Sequence, residues 1–511
     1  MIDLVLIHPP VTLPTEPPVG LVTLAGALRR HGVSLELVDA NVEALDHVLR
    51  SVSTDAARSV AQRRALQRRD RALDQLRGSS GYDNRDRHHS AVTALRQTLA
   101  LTPGPGRPDL ADYHDTRWSP LRMEDLRCAA AAHEESPYAG YFDELVRRVQ
   151  ALGPSVVGVA INYLHQVLPA MALFGLLRRR LPGVRRMAGG GLLGCWRHQL
   201  DSHSLAPVVD ELVFDDGVPR VLEALGRSGS DRREPERGQA PDCTGAPWAL
   251  YLAPGRIVPM HTTRGCFWSR CRYCPEATVS PRFEVLHRGE LARVATDVAR
   301  EHGASLLHFT DSALPPSSLR RLVRLDGQVP WYGFTRFHRC LTDPDLCAGL
   351  RRAGCVMLQL GLESGSPEML GRLNKGIDLA QASVALRTLA RAGIASYLYV
   401  MFGIPGEDQH HAEQTLSFVV QHASVVRFLN VALLNMPRGA SPDALVTRPL
   451  QGQGELSLYV GFVPDEGLDR RQARRFMERT FQRQPQVAAI LRRTPHVLGA
   501  SHAPFFVMSG S

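Results

Sequence analysis

Short apolar segments alternate with amphipathic helical segments in two long stretches of the chain, and this alternation limits the fold more than any other feature. The first stretch has strand-like segments at Leu4–Ile7, Leu35–Asp39, Val156–Ile161, Met187–Ala188 and Glu211–Phe214. Strands joined by crossover helices form parallel sheets. This stretch therefore predicts an α/β domain over residues 1–225, with a doubly wound, Rossmann-like sheet.

A second series of strand-like segments follows, again separated by amphipathic helices. They are Ile257–Thr262, Ser305–Phe309, Trp331–Phe334, Val356–Leu360, Tyr397–Phe402 and Phe428–Leu434. Six strands in this rhythm predict a partial (β/α)6 barrel over residues 246–450, with its chemistry in the loops at the carboxyl ends of the strands. Residues 451–511 are expected to form a small helical C-terminal cap.

Two stretches interrupt the alternation. Residues 50–150 contain Gly/Pro-rich loop segments such as "TPGPGRPD" between helical segments. This pattern predicts a helical insertion within the first domain. The charged, Gly/Pro-rich segment near "GRSGSDRREPERGQAPD" predicts a linker over residues 226–245.

Composition is that of a soluble protein with several domains. The 511 residues are 44% hydrophobic and 22% charged, and no basic segment precedes the first apolar run. The longest apolar stretch, Val156–Leu177, contains Asn162, His165 and Gln166, so a buried strand and helix explain it better than a membrane span. We therefore expect a cytoplasmic protein whose nine cysteines are mostly reduced.

The net charge of +9 does not by itself indicate a nucleic-acid partner. Of the 60 lysine and arginine residues, Lys375 is the only lysine, which is typical of a GC-rich coding sequence. The densest basic run, within residues 58–77, has helical spacing and few aromatic residues, which favours a solvated helix face.

Three cysteines lie close together in "RGCFWSRCRYCPE", in the loop after the first strand of the second series. Cys266, Cys271 and Cys274 have the spacing C-x4-C-x2-C. Three thiolates on a [4Fe-4S] cluster leave one iron with an open site. A zinc site completed by His261 or Cys243 is the alternative, although this spacing lacks the second pair typical of structural zinc. The cysteines without paired spacing are expected to be core residues: Cys128, Cys195, Cys340, Cys347 and Cys355.

This loop resembles the signature of the radical SAM superfamily, whose three cysteines hold a [4Fe-4S] cluster that S-adenosylmethionine (SAM) chelates. The usual spacing is C-x3-C-x2-C, so this chain has one extra residue between Cys266 and Cys271. The aromatic residue before the last cysteine is kept as Tyr273, which the resemblance places beside the adenine.

Other segments resemble the same superfamily in order and spacing. "LQLGLESGSPEMLGRLNKG" resembles the fourth-strand segment that contacts SAM, and "FGIPGED" resembles the fifth-strand turn near the adenine. The resemblance implies that Glu363 contacts the ribose or amino group and that Asp311, without the usual Gly-Gly-Glu run, lies where the methionine amino group binds. It also implies that Arg336 is a partner of the SAM carboxylate. The backbone at Gly361, Gly365 and Gly403 is expected to lie close to SAM.

The first domain resembles the cobalamin-binding domain that precedes many radical SAM barrels. Its glycine-rich turn, "AGGGLLG", contains Gly189, Gly190 and Gly191, which the resemblance places near the nucleotide tail. Asn162 and Asp39 are expected at the corrin edge. The loop after the first strand lacks the D-x-H-x-x-G motif of cobalt-ligating domains, so we expect His8 to be structural and the lower face of cobalt to lack a histidine nitrogen.

Together these resemblances imply a cobalamin-dependent radical SAM enzyme, most simply a methyltransferase acting on an unactivated carbon of a secondary metabolite or peptide. In that family a radical derived from SAM abstracts hydrogen and methylcobalamin delivers the methyl group, with a flavodoxin or ferredoxin as electron donor. One alternative keeps both cofactors but catalyses a non-methylating rearrangement or cyclisation. The other is a non-catalytic interaction protein that binds a cluster or zinc.

Overall fold

The computed structural model describes residues 2–227, 240–277, 283–287, 289–440, 447–448, 453–462, 466–495 and 502–508. Within these limits the chain forms two compact units. The first comprises Met1–Pro259, Gln453–Ser457 and His496–Ser511, and the second comprises Met260–Gly452 and Leu458–Pro495.

The first unit is built on a five-stranded parallel sheet, as the sequence predicts. The strands of this unit are β1 (Leu4–His8), β2 (Leu35–Asp39), β3 (Gly106–Pro108), β4 (Tyr113–Asp115), β5 (Val156–Ala160), β6 (Arg185–Gly189) and β7 (Glu211–Leu212). The sheet has the order β2-β1-β5-β6-β7, and β3 and β4 form a separate antiparallel pair. Every residue of β1 is buried, as expected for a central strand of a parallel sheet.

Helices connect these strands and form most of the predicted insertion. They are α1 (Val19–Arg30), α2 (Ala40–Ser51), α3 (Val60–Arg77), α4 (Arg85–Leu99), α5 (Met123–Ala131), α6 (Ala139–Leu152), α7 (Leu164–Arg180), α8 (Gly191–Cys195) and α9 (Gly217–Ala224). Helix α3 begins at a capping box between Ser59 and Gln62, which satisfies amide groups at its first turn. The apolar stretch Val156–Leu177 is β5 followed by most of α7. None of the described helices combines the length and hydropathy that a bilayer span requires.

The first unit continues beyond the linker predicted at 226–245. Residues 228–239 lie outside the described residues, but the chain after them is hydrogen-bonded to the first unit. Asp242 N donates to Val22 O over 2.9 Å, and Leu252 N donates to Pro14 O over 2.7 Å. The first unit therefore extends to Pro259, which is 14 residues beyond the predicted end of the linker.

Residues 257–433 contain a six-stranded sheet in the order β15-β14-β13-β12-β11-β8, in agreement with the predicted strand series. Its strands are β8 (Ile257–Met260), β11 (Leu306–Leu314), β12 (Trp331–Arg336), β13 (Cys355–Glu363), β14 (Ala395–Phe402) and β15 (Val426–Leu433). Two short strands, β9 (Thr263–Arg264) and β10 (Glu284–Val285), form a separate antiparallel pair. Adjacent strands from β11 to β15 pair in parallel. The accompanying helices are α10 (Leu291–His302), α11 (Pro316–Leu322), α12 (Pro344–Arg352), α13 (Pro367–Arg372), α14 (Leu379–Arg391) and α15 (Gln409–Gln421).

The last described segments are partly helical but do not form one separate cap. They contain β16 (Met436–Pro437), β17 (Thr447–Arg448), β18 (Tyr459–Phe462), α16 (Arg470–Phe476), a π-helical turn at Met477–Phe481, α17 (Pro485–Arg493) and α18 (Pro504–Met508). Strands β16, β18 and β17 form a small antiparallel sheet. Gln453–Ser457 belongs to the first unit, where Leu456 O accepts a 2.8 Å hydrogen bond from the indole of Trp196.

Candidate functional site

The cysteine loop follows β8 and β9 at one end of the six-stranded sheet. Cys271 is buried, whereas Cys266 and Cys274 are half-buried, and all three are free thiols. Cys274 N donates to Cys271 O over 3.3 Å, which closes a turn between the two residues. Burial raises the pKa of the Cys274 thiol to about 11, so without a metal this group is protonated at neutral pH.

A turn after α13 holds the cysteine loop in place. The indole Nε1 of Trp268 donates to Asn374 O over 2.9 Å, and Arg272 N donates to Leu373 O over 3.1 Å. Gly376 has a positive φ of 63°, and a Cβ atom there would lie 2.3 Å from the Trp268 ring. A glycine is therefore required where the turn and the cysteine loop meet.

Arg336, the last residue of β12, also contacts the cysteine loop. Its Nη1 donates to Cys271 Sγ over 3.5 Å, and its Nη2 donates to the carbonyl oxygen of Lys375. The guanidinium carbon lies 4.5 Å from the centroid of the Trp268 ring. The predicted contact between Arg336 and the SAM carboxylate stays a prediction, because these contacts account for the buried guanidinium without a ligand.

Glu363 and Lys375 form a buried ion pair beside this loop. The distance from Lys375 Nζ to Glu363 Oε1 is 2.6 Å, and Nζ also lies 3.3 Å from the hydroxyl of Tyr273. Burial raises the pKa of Tyr273 well above its usual value, and the nearby Glu363 carboxylate adds to this shift. Glu363 and Tyr273, both predicted to contact SAM, are thus brought together by a lysine that sequence reasoning did not assign to the site.

Gly361 keeps the space around this ion pair open. A Cβ atom at Gly361 would lie 2.7 Å from Glu363 Oε1 and 3.1 Å from Lys375 Nζ. Gly365 has a different role, because a Cβ atom there would lie 2.7 Å from backbone atoms of α15. Close approach at Gly365 is therefore explained by helix packing, and its predicted contact with SAM stays a prediction.

Asp311 and Gly403 are engaged by neighbouring protein groups. The buried Asp311 carboxylate accepts hydrogen bonds from Thr262 N, Thr262 Oγ1 and Thr263 Oγ1 at 2.6–3.1 Å, which fixes the strand that leads into the cysteine loop. Gly403 N donates to Glu407 Oε2 over 2.6 Å, and burial raises the pKa of Glu407 to about 7. The contacts of Asp311 and Gly403 with SAM stay predictions.

A buried apolar cluster lies beside Tyr273. Met369, Leu373 and Ile404 form a buried cluster against which Tyr273 and Met401 pack. This packing fixes the position of the Tyr273 ring beside the cysteine loop.

In the first unit, the glycine turn lies at the carboxyl end of β6. Gly190 has a φ of 115°, and a Cβ atom there would lie 2.4 Å from the carbonyl oxygen of Ile161. Asn162 Oδ1 accepts a 2.9 Å hydrogen bond from Gly191 N. Gly190 and Gly191 are exposed while Gly189 and Asn162 are half-buried, so this turn offers backbone to a ligand at the sheet edge.

Asp39 and His8 are enclosed by protein. Asp39 is 1% exposed, and its carboxylate accepts hydrogen bonds from the Tyr251 hydroxyl at 2.7 Å and from Asn41 N at 3.2 Å. His8 is buried with Nε2 lying 3.0 Å from Thr12 Oγ1, and burial lowers its pKa to about 3. These contacts favour structural roles for both residues, and a corrin contact of Asp39 stays a prediction.

The three cysteines of the second unit supply the thiolate donors that an iron–sulfur cluster needs. Among the described residues, no group of three or more His, Cys, Asp and Glu side chains is placed to hold one ion. A cubane cluster binds each thiolate to a different iron, so its ligands need not converge on one point. The loop supplies three thiols as ligands, and Arg336 Nη1 donates to the sulfur of one of them, Cys271.

Residues 260–419 match the model of the Radical SAM superfamily. This segment is a radical SAM domain. It contains all three cysteines, Arg336, Glu363 and Lys375, so the contacts that these residues make with one another lie inside the matched region.

Similarity to known proteins extends beyond the radical SAM domain at the level of fold. An uncharacterized methyltransferase of Pyrococcus horikoshii is 25% identical over 185 residues, which cover 34% of this chain and 39% of that protein. The radical S-adenosylmethionine methyltransferase TsrM from Kitasatospora setae has a TM-score of 0.51 and 15% identity, covering 89% of this chain and 80% of that chain. The cobalamin-dependent S-adenosylmethionine radical enzyme OxsB has a TM-score of 0.52 and 13% identity, covering 82% of this chain and 52% of that chain. Both units therefore share the fold of cobalamin-dependent radical SAM proteins.

Three residues of the site were not found by sequence reasoning: Trp268, Lys375 and Glu407. Trp268 lies inside the cysteine loop, and Lys375 is the only lysine in the chain. A unique lysine in an arginine-rich sequence was the available signal for Lys375.

Proposed function

We propose that this protein is a cobalamin-dependent radical SAM enzyme that transfers a methyl group to an unactivated carbon of a secondary metabolite or a peptide. The observation that carries the proposal is the three-cysteine loop of the radical SAM domain, packed against the buried Glu363–Lys375 pair. When bound, the cluster and SAM supply radical hydrogen abstraction, and cobalamin supplies a transferable methyl group.

In this proposal the residues of the second unit bind and orient the cofactors. Cys266, Cys271 and Cys274 hold three irons as thiolates and leave the fourth open to SAM. Glu363, held by Lys375, accepts hydrogen bonds from SAM, and Tyr273, which packs on the buried apolar cluster, lies beside the adenine. Burial of these groups excludes water, which protects a reactive carbon radical.

The first unit is proposed to bind cobalamin over the carboxyl ends of its strands. Gly190 and Gly191 provide exposed backbone there, next to the half-buried Gly189, and Asn162 fixes the turn through Gly191 N. The similarity in fold to OxsB and TsrM supports this assignment. The cluster requires a one-electron reductant, so the proposal includes a flavodoxin or ferredoxin as electron donor. It also includes a cytoplasmic location.

The test does not require the unidentified substrate. The full chain is reconstituted anaerobically with iron, sulfide and hydroxocobalamin, reduced, and incubated with SAM that carries a deuterated methyl group. We expect roughly four irons per chain, as a [4Fe-4S] cluster requires, release of 5′-deoxyadenosine, and labelled methyl in the bound cobalamin.

The outcomes separate the rival functions. Release of 5′-deoxyadenosine without labelled methylcobalamin would favour a non-methylating rearrangement or cyclisation. Neither product from protein that contains iron would favour a non-catalytic interaction protein. Zinc in place of iron, retained through anaerobic purification, would contradict the cluster assignment itself.

A further inference from the structure

Arg336 is placed to act on the cluster through one of its cysteine ligands. It ends β12, and its Nη1 donates to Cys271 Sγ over 3.5 Å. The residue is only 5% exposed, so water does not compete strongly for this donor. The hydrogen bond from Nη2 to Lys375 O and the Trp268 ring at 4.5 Å hold the guanidinium in this orientation.

We propose that Arg336 is a positioning residue that raises the reduction potential of the cluster through its hydrogen bond to Cys271. Reduction adds an electron and increases the negative charge on the thiolate ligands. A cationic donor on one sulfur therefore stabilises the reduced state more than the oxidised state. Because the guanidinium is buried, its charge is screened less than that of a surface arginine.

This role differs from the contact with the SAM carboxylate that the resemblance implies for Arg336. It acts on the cluster in the absence of SAM, cobalamin and substrate. The inference rests on the proposed function in one respect, which is that the three cysteines hold a [4Fe-4S] cluster.

Arg270 provides a matched control on the same loop. It precedes Cys271 directly, and its guanidinium carbon lies 5.5 Å from the Trp268 ring, but its side chain is exposed. Replacing Arg270 removes one positive charge close to the cluster loop without removing the buried hydrogen bond of Arg336. The two replacements thus separate a surface charge from a buried donor.

The experiment measures the midpoint potential of the cluster by low-temperature electron paramagnetic resonance at a series of solution potentials. The samples are the reconstituted full chain, Arg336→Met and Arg270→Met, each with its iron content determined and without SAM or cobalamin. We expect Arg336→Met to lower the equilibrium constant for one-electron reduction about tenfold, or ~59 mV. Arg270→Met is expected to change that constant by less than about twofold.

The proposal would be overturned if Arg336→Met changed the equilibrium constant for reduction by less than about twofold relative to the parent protein. It would also be overturned if Arg270→Met shifted the potential by the same amount as Arg336→Met. If Arg336→Met assembles no cluster, Arg336→Gln and Arg336→Lys are measured in its place. A lower potential in Arg336→Gln supports the proposal, whereas an unchanged potential in Arg336→Gln, or loss of the cluster in all three variants, refutes a tuning role. Failure of the proposed function would instead appear as a parent protein that binds no cluster.

Discussion

Replacing Lys375 by methionine is expected to destabilise the second unit strongly. Lys375 and Glu363 are 5% and 8% exposed, and their charged atoms lie 2.6 Å apart. At this distance two unit charges attract by about 6 kcal/mol with an effective dielectric constant of about 20. Dehydration of each ion costs several kcal/mol, so the intact pair adds little net stability. Removing one partner leaves an uncompensated buried charge, which costs about 3–5 kcal/mol.

Thermal unfolding of the cluster-free protein measures this loss. A domain of this size changes its Tm by about 2–4 °C per kcal/mol, so Lys375→Met should lower the Tm by about 6–20 °C. The double variant Lys375→Met/Glu363→Gln removes both charges and should recover most of the loss, because no buried ion remains.

A solvent-exposed pair nearby provides the control. Arg372 Nη2 lies 2.8 Å from Glu368 Oε1, but the two side chains are 45% and 53% exposed. Such pairs contribute about 0–1 kcal/mol, so Arg372→Met should shift the Tm by no more than about 4 °C. If Lys375→Met lowers the Tm no more than Arg372→Met, or if the double variant is less stable than Lys375→Met, the argument from burial is wrong.

Three further results are expected. Cys271→Ala should lose the iron and the cleavage of SAM. Cys355→Ala, which changes a buried cysteine outside the loop, should retain both. A Cys271→Ala protein that keeps its iron and still cleaves SAM would contradict the ligand assignment. In the cobalt(II) state with bound cobalamin, paramagnetic resonance should show no superhyperfine splitting from a protein nitrogen, and splitting that disappears in His8→Ala would make His8 the ligand. Burial raises the pKa of Asp39 from 3.8 to about 7, so the folded state binds the carboxyl proton more tightly than the unfolded state does. The free energy of unfolding should therefore fall by up to about 4 kcal/mol as pH rises from about 4 to above 7. Chemical unfolding of Asp39→Asn across this range should lack that contribution, and an identical pH dependence in both proteins would remove Asp39 as its source.

The sheet strands were predictable because burial on both faces gives apolar segments that can be read directly. β1 and β2 begin and end within one residue of the prediction. The carboxyl ends of the longer strands were harder to predict from the sequence. β11 continues through Asp311 to Leu314, and β13 continues to Glu363. These extensions contain polar residues that apolar periodicity does not include, and they are the residues nearest the candidate site.

The cysteines and Glu363 could be found from spacing and resemblance, but the contacts that hold them could not. Trp268 and Asn374 are 106 residues apart in the chain, and Arg336 and Cys271 are 65 apart. Their proximity follows from the order of strands in the sheet rather than from any local pattern. Asp39 illustrates the reverse difficulty. A polar residue at a strand end suggested a ligand contact, whereas the structure engages it with Tyr251 from the segment before Pro259.

The backbone at Glu363 gives an independent reason to regard this carboxylate as functional. Glu363 has a φ of 71°, and the pairing of β13 with β14 shifts register between Gly361 and Glu363. A non-glycine residue in this region costs about 1–3 kcal/mol and persists where the surrounding structure imposes it. A glycine would remove the strain but also the carboxylate that Lys375 binds. The chain thus keeps a strained, charged residue at the end of a buried strand, which is explained if the orientation of that carboxylate toward a ligand matters more than local stability.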